Sequence, residues 1–500
     1  VKYLTTTSFM TKMWKVGKYY WVLAFTLLSG PGYGQGMEID SATVMASNTG
    51  VPETAPLYGA GHSFVIGEIF ITGNRKTRPY IIERELSFKR GDSVFLPDLV
   101  KAFERSREQV INTHLFNEVI ISLKEFRGFI ADIQIDVKER WYLFPIPYLR
   151  PVDRNLTAWA EKNYNLNRVD YGLKYSHYNF TGRNDNLRAW LITGYSRRIE
   201  LAYDQPYADK TLRHGFGGGI SYSALKELNV LTVNNQQQFI NSDTISYAGK
   251  YLSEQFTFSL RYYYRPGIKT KHFLRLSFNN IKVDSAVTVW NPNYFDKGNR
   301  QVSYPEISYV LNYNNVDYTP YPLQGFLFET GILHRGINAD INLWQIYAKS
   351  TEAMKIARKT YFVTQNIGLV KLPLDQPFYN QQLFGYGDFY MRGLEKYVVD
   401  GVAGGLARNT LLRELFDFSI PFLRGTSHDR IPFRILAKTY VDFSYIYNRN
   451  FLSNSLENRL LYSGGIGIDV VTFYDLVFRF EYSMDQFGGK GLFFHIKNDF

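Results

Sequence analysis

Runs of about ten residues in which apolar and polar side chains alternate recur through most of this chain. In Gln255–Tyr264, Phe256, Phe258, Leu260, Tyr262 and Tyr264 fall on one face and Gln255, Thr257, Ser259 and Arg261 on the other. Arg434–Tyr445 sets Ile435, Ala437, Thr439, Val441, Phe443 and Tyr445 against Lys438, Asp442 and Ser444. Leu476–Ser483 sets Leu476, Phe478, Phe480 and Tyr482 against Arg479, Glu481 and Ser483. A period of two belongs to a strand with unlike faces. Sixteen such segments begin near residues 155, 169, 186, 197, 213, 251, 271, 302, 325, 342, 360, 409, 433, 459, 475 and 491. A soluble sandwich also alternates, but here the apolar face is rich in aromatics, as membrane interfaces favour. The pattern predicts a mainly β fold: a sixteen-stranded antiparallel transmembrane β-barrel over residues 141–500, apolar outward and polar inward.

Before the barrel, residues 64–140 change rhythm. Phe64–Thr72 alternates and ends at Gly73-Asn74, a strand and a turn. Thr77 is placed to cap a helix through Tyr80–Leu86. After a turn at Gly91-Asp92, Leu96–Thr113 carries Leu96, Leu99, Val100, Phe103 and Val110 at helical spacing. Strands Glu118–Leu123 and Phe129–Val137 follow. The expected order is strand, helix, helix, strand, strand: one small α+β domain.

The N-terminus carries Lys12, Lys15 and Lys18 ahead of an apolar run, Tyr19–Ser29, with Gly32 and Gly34 before Gln35. This reads as a signal peptide over residues 1–34, since the run is too short to span a bilayer as a helix. Residues 35–63 read as a linker. The chain has no Cys, which excludes disulfides, thiolate metal sites and Cys-linked lipid anchors. The net charge of +11 is scattered rather than clustered, which argues against a nucleic-acid partner. No H-E-x-x-H, G-x-S-x-G or P-loop motif is present, so neither an enzyme nor a cofactor is expected. His114, His334 and His495 read as ordinary surface or lumen residues, and Glu329 and Glu481 as lumen-facing charges rather than a paired-carboxylate hydrolase site.

Several stretches carry a family likeness. Ile69–Asn74, Gly91-Asp92, Leu115–Val119 and Val137–Glu139 make residues 64–140 resemble a polypeptide-transport-associated (POTRA) domain. Asn179-Phe180-Thr181-Gly182-Arg183, Tyr203-Asp204-Gln205-Pro206-Tyr207, Asn315-Val316-Asp317 with Tyr321–Gly325, and Gly385–Leu394 with its Arg392-Gly393 pair resemble turns and a loop of the BamA-like outer-membrane family. The likeness extends over residues 64–500. It implies that the loop between strands eleven and twelve folds into the lumen, with Arg392 at its tip and Gly393 allowing close approach to the wall. By the same likeness Asp442, on strand thirteen, is the carboxylate that Arg392 meets, although Ser444 stands where the family has Gly. The partner on strand twelve is open between Glu414, by local wording, and Asp417, favoured because alternation puts Leu412, Phe416, Phe418 and Ile420 on the opposite face. Phe500, with Ile496 and Phe494, resembles the C-terminal recognition signal of outer-membrane barrels, although Asn498 interrupts it.

The function implied is an outer-membrane factor that inserts or translocates polypeptides without nucleotide hydrolysis, with barrel assembly as the leading activity. Its expected partners are unfolded outer-membrane or secreted polypeptides, outer-membrane lipids and accessory lipoproteins, with the small domain in the periplasm. The alternatives are a two-partner-secretion-like exporter or a passive pore. An exporter of that kind usually carries two periplasmic domains and a plug helix, whereas one domain and no amphipathic helix in residues 36–63 are seen here.

Overall fold

The computed structural model describes residues 63–151, 166–336, 341–387, 389–421, 430–449 and 454–497. The expected signal peptide, nearly all of the linker and Phe500 lie outside these.

The small domain is a four-stranded sheet of order β2-β1-β4-β3. Its strands are β1 (Ser63–Thr72), β2 (Ser93–Phe95), β3 (Phe116–Arg127) and β4 (Ile130–Glu139). Two helices, α1 (Pro79–Glu83) and α2 (Leu96–Ile111), cover one face. Leu99 and Val110 of α2 pack on Ile66, Ile133 and Ile135, the buried alternate positions of the strands. Two details depart from the sequence reading. A three-residue strand, β2, pairs antiparallel with β1 where a turn alone is expected, being too short to carry a period. Thr77 does not cap α1, whose first residues are preceded by Arg78. Its hydroxyl is instead buried between Tyr142 and Asn179, where the domain meets the barrel.

The barrel strands are β5 (Leu143–Pro151), β6 (Val169–His177), β7 (Asn186–Gly194), β8 (Arg197–Gln205) and β9 (His214–Leu225). After a hairpin of β10 (Glu227–Val233) and β11 (Gln236–Asn241) come β12 (Ser253–Tyr264), β13 (Thr270–Val283), β14 (Gln301–Val316), β15 (Gly325–Arg335), β16 (Leu343–Ala357) and β17 (Thr360–Leu372). Two short strands, β18 (Gln382–Phe384) and β19 (Val399–Asp400), lie in the next connection. The wall ends with β20 (Ala403–Pro421), β21 (Arg430–Tyr447), β22 (Leu460–Val471), β23 (Val477–Asp485) and β24 (Lys490–Lys497). Sixteen strands pair antiparallel in chain order from β5 to β24, leaving out the two hairpins. Alternation sorts the faces: Phe256, Phe258 and Leu260 of β12 are exposed outside, while Thr257 and Ser259 are buried inside.

Strand β20 begins earlier than expected, at Ala403 rather than near residue 409, and the first strand is the element of the wall farthest from its expected place. It starts at Leu143 rather than near residue 155, which lies outside the described residues. Pro145, Pro147 and Pro151 weaken the strand signal of this stretch, and proline is tolerated there because the strand is an edge. Sequence alternation also passes over β10–β11 and over helix α3 (Ser285–Trp290), which help close the end of the barrel remote from the small domain. There Val230, Leu252, Val287, Phe295 and Tyr304 form a buried apolar cluster.

The small domain seats on the other end through buried ion pairs. Arg265, in the β12–β13 turn, forks onto Glu85 at 2.5 and 2.7 Å. Arg140 forks onto Asp475, in the β22–β23 turn, at 2.6 and 3.0 Å, and His114 Nδ1 lies 2.9 Å from the same carboxylate. The Tyr318 hydroxyl donates to it as well. Asn112, just past α2, donates to the Val316 carbonyl at 3.0 Å and accepts from the Thr319 N–H at 2.9 Å. Burial by itself would raise the Asp475 carboxyl; the hydrogen bonds from His114 and Arg140 and the Arg140 charge outweigh it and hold the group well below the usual carboxylate range.

Two outcomes follow. Leu260→Arg, on the lipid-facing side of β12, costs about 2–4 kcal/mol near the bilayer midplane. It should deplete the fast-migrating unboiled species that wild type gives on a detergent gel; an unchanged fast band contradicts the outward assignment. Because the folded value of Asp475 is depressed, its contribution is complete above the unfolded carboxylate value of about 4 and is lost as pH falls through the folded value. Amide exchange around Thr113–Leu115 should therefore stay slow from neutral pH to about pH 4 and quicken only in stronger acid. In Asp475→Asn it should be fast already at neutral pH, since removing one partner of a buried pair costs about 3–5 kcal/mol.

Candidate functional site: the lumen lock

The connection from β17 to β20 turns into the barrel. It passes through helix α4 (Phe378–Gln381) and the β18–β19 pair and presents its tip, Met391–Leu394, to the inner face of β20–β23. Leu383, Phe384, Met391, Leu394 and Val399 of this loop are buried against Leu406, Ile446 and Leu461 of the wall. The tip is a tight turn in which the Leu394 N–H donates to the Met391 carbonyl at 3.1 Å. Gly393 has φ +87°, a region that costs any side chain. A Cβ there would also lie 3.1 Å from the Ser483 Cβ and 3.4 Å from the Ser463 Cβ. Glycine thus lets the turn press against β22 and β23.

Arg392 faces the other way along the wall. Its Nε donates to Asp442 Oδ2 at 2.9 Å and its Nη2 to Oδ1 at 2.5 Å, the two-pronged geometry of a charge-assisted pair. Its own N–H reaches Asp442 Oδ2 at 3.3 Å, and its Nη1 donates to Thr410 Oγ1 at 3.1 Å. The Ser463 hydroxyl donates to its carbonyl at 2.5 Å. The guanidinium carbon stands 3.9 Å from the centre of the Tyr440 ring, within cation–π range. The Asp442 side chain is fully buried and that of Arg392 is 10% exposed.

A second cation extends the network. Lys438 Nζ lies 2.5 Å from Asp469 Oδ1 and 2.7 Å from Glu481 Oε1, and Glu481 is also 4.0 Å from Arg392 Nη1. Tyr321, in the β14–β15 turn, donates to Asp469 at 2.7 Å. Charges of both signs from β21 to β23 thus surround one loop tip. Below it lies a polar cavity of about 770 Å³, lined by Arg392, Lys438, Asp469 and Glu481 on one side and by Glu108, Asn112 and His114 of the small domain on the other.

The strand-twelve candidates do not join this site. Asp417 is exposed, and Glu414 is buried but meets Arg434 at 2.8 Å and Lys359 at 3.2 Å. Both lie farther along β20 than Thr410, which is the residue level with Arg392, and a β-bulge separates Glu414 from Phe416. Leu412 and Glu414 share the inner face before it, whereas Phe416, Phe418 and Ile420 are exposed outside after it, so one continuous alternation does not hold. Thr410 takes the strand-twelve role. Glu481 and Lys438 were legible only as inward polar positions; Thr410, Tyr440, Asp469 and Ser463 carried no signal of their own. His495 Nε2 lies 3.0 Å from Glu395 of the loop, His334 stacks on Trp344 with ring centres 4.0 Å apart, and Glu329 lies 3.6 Å from Lys349.

A sixteen-stranded barrel that folds a long loop into its own lumen, with a small α+β domain at one end, is the fold of this chain. Among solved structures it matches CdiB from Escherichia coli at 12% identity and a TM-score of 0.51, over 87% of this chain and 75% of that one. BamA from Haemophilus ducreyi lacking POTRA domains 1–3 matches at 16% identity and a TM-score of 0.48, over 87% and 84%. CdiB from Acinetobacter baumannii matches at 12% and 0.44, over 87% and 74%. The fold comparison rests on the first of these. No protein-family model and no curated protein sequence matches the chain.

Arg392→Ala should leave the strands inserted but free the loop, because it strands the buried Asp442 carboxylate at a cost of about 3–5 kcal/mol. Added protease should then cleave within Gly385–Gly405 while the barrel keeps its fast unboiled migration. Arg392→Lys should recover little, lacking the planar fork. Loop cleavage no faster than in wild type would show that the pair does not hold the loop.

Proposed function

We propose that this protein resides in the outer membrane and inserts or translocates polypeptides there, with assembly of β-barrels as its activity. The observation that carries the reading is the wall itself: a sixteen-stranded barrel of this fold in which, among the described residues, no backbone ladder joins the first strand to the last. A sheet edge in lipid is costly unless something pairs with it, and an extended polypeptide is the partner that fits. The mechanism uses backbone hydrogen bonding, needs no nucleotide and assigns no residue a bond-breaking role. The exposed aromatic and aliphatic exterior faces lipid. The small domain acts as a POTRA domain on the periplasmic side. Among the described residues its twelve-residue β3 has a neighbour on one side only, so the other can receive a client strand on its way to the barrel.

The Arg392–Asp442 pair acts as a lock that keeps the loop in the lumen. A lumen holding that loop is poorly suited to passive diffusion. The polar cavity between the loop tip and the small domain favours a second reading, export of a polypeptide through the lumen after the loop moves.

Depletion in the native host followed by outer-membrane proteomics separates the two. A broad fall in integral barrels is the result expected of an assembly factor. Loss of one secreted protein with barrels unchanged would replace it by the export reading.

A further inference from the structure

The turn from β8 to β9 and the adjoining ends of β12, β13 and β14 build a groove on the outer face of the barrel, at the end that carries the small domain. Outward residues fall there in two rows. Ladder register sets His214 of β9, Tyr264 of β12 and His272 of β13 side by side at the strand ends. One step into the wall it sets Phe216, Tyr262, Leu274 and Tyr309 side by side. The rings touch in sequence, with centres 5.2 Å apart for His214 and Tyr264, 5.4 Å for Tyr264 and His272, and 5.5 Å for Phe216 and Tyr262. Rings at the ends of membrane strands sit at headgroup level. The space they frame with Thr211 and Arg213 is about 590 Å³, the size of a small-molecule site.

Polar groups at the mouth of the groove are donors. His214 Nδ1 lies 2.7 Å from the Tyr262 hydroxyl and His272 Nδ1 2.7 Å from the Tyr309 hydroxyl, and among the described residues neither Nε2 has a hydrogen-bond partner. An anion at Nε2 selects the tautomer in which the tyrosine donates to Nδ1 and the imidazole proton sits on Nε2. Arg213 is exposed, and among the described residues its guanidinium meets no carboxylate. Asp209, in the same turn, is already occupied: Oδ1 accepts from the Arg213 and His214 N–H groups, and Oδ2 from the Thr211 N–H and hydroxyl. The Arg213 carbonyl accepts from the Arg265 N–H at 2.8 Å, and the Leu212 carbonyl from Arg84 Nε of the small domain at 2.8 Å. The turn is therefore fixed before any ligand arrives, which lowers the cost of binding.

Farther into the wall the same face is apolar. Leu260, Leu276 and Ile307 are exposed there, and Gly218, level with Leu260, leaves a furrow between them and β9. Hydrocarbon and headgroups surround this face, so the ligand that reaches it is one already in the bilayer. An anionic head with apolar tails matches the donors at the mouth and the furrow below.

We propose that, in the outer-membrane placement argued above, this groove binds an anionic phospholipid of the periplasmic leaflet. Its phosphate lies against Arg213 and the Nε2 donors of His214 and His272, and its acyl chains run along Leu274, Leu276 and Ile307. The lipid then packs on the turn that the small domain grips through Arg84.

The test uses the full-length protein folded in detergent micelles and checked by its fast unboiled migration. Phosphatidylglycerol or phosphatidylcholine is added, and retained lipid is counted by native mass spectrometry. Saturable retention of phosphatidylglycerol, several-fold above phosphatidylcholine, is expected. Arg213→Ala and His272→Phe, the second of which keeps a ring in place, should each lower phosphatidylglycerol retention several-fold. Lys297→Ala, which removes an exposed charge in the β13–β14 connection at the opposite end, should not. Equal retention of the two lipids, retention unchanged in both groove variants, or a fall of the same size in Lys297→Ala overturns the site and reduces the rings to an ordinary interfacial belt. Each of these results leaves the barrel and its membrane placement standing. A chain with no fast-migrating form in the presence of either lipid overturns the placement, and the lipid site with it.

Discussion

Hydrocarbon offers backbone groups no hydrogen-bond partners, and the architecture of this protein follows from that constraint. Every wall strand between β5 and β24 is paired on both sides, and each pairing is antiparallel between neighbours in the wall. Among the described residues of the wall, only β5 and β24 are left with an outer edge. The wall therefore concentrates its unsatisfied polar groups in one seam. Elsewhere an edge of this kind is a liability; under the function proposed above, the same groups are the means of receiving a client strand.

Inside the barrel the problem is electrostatic. Inward positions of β21–β23 carry Asp442, Lys438, Asp469 and Glu481, and burying such charges is costly unless each meets a counter-charge. Arg392 supplies one from the loop and Lys438 another from the wall, so placing the loop and neutralising the lumen are one event. Buried polar pairing of this sort is directional. It defines where the loop tip sits, whereas the apolar contacts of Met391 and Leu394 hold it there without specifying a register. The joint between barrel and small domain repeats the device with Glu85–Arg265 and Asp475–Arg140. The lumen cavity thus lies between two sets of buried ion pairs, one at its roof and one at its floor.

Much of this was legible from residues alone, and the limits have physical causes. Alternation over ten residues is a local property that survives wherever one face meets lipid and the other a polar lumen. Most of the strand starts and the inward placement of Lys438, Asp442 and Ser444 follow from it. The Arg392-Gly393 pair marked the loop tip because glycine at positive φ is a backbone requirement written in one residue. Three things were decided only by the tertiary structure. The bulge on β20 adds one residue to one strand of a pair, a matter of registry that no period reveals, and it puts Glu414 on the inner face with Leu412, where one continuous alternation had placed both with the outward Phe416 and Phe418. Strand β5 exists despite its prolines because only one of its edges needs donors, which depends on its position at the end of the wall. The partners of Arg392, Arg140 and Arg265 lie 50, 335 and 180 residues away along the chain, so charge pairing waited on the closing of the barrel to bring them within reach.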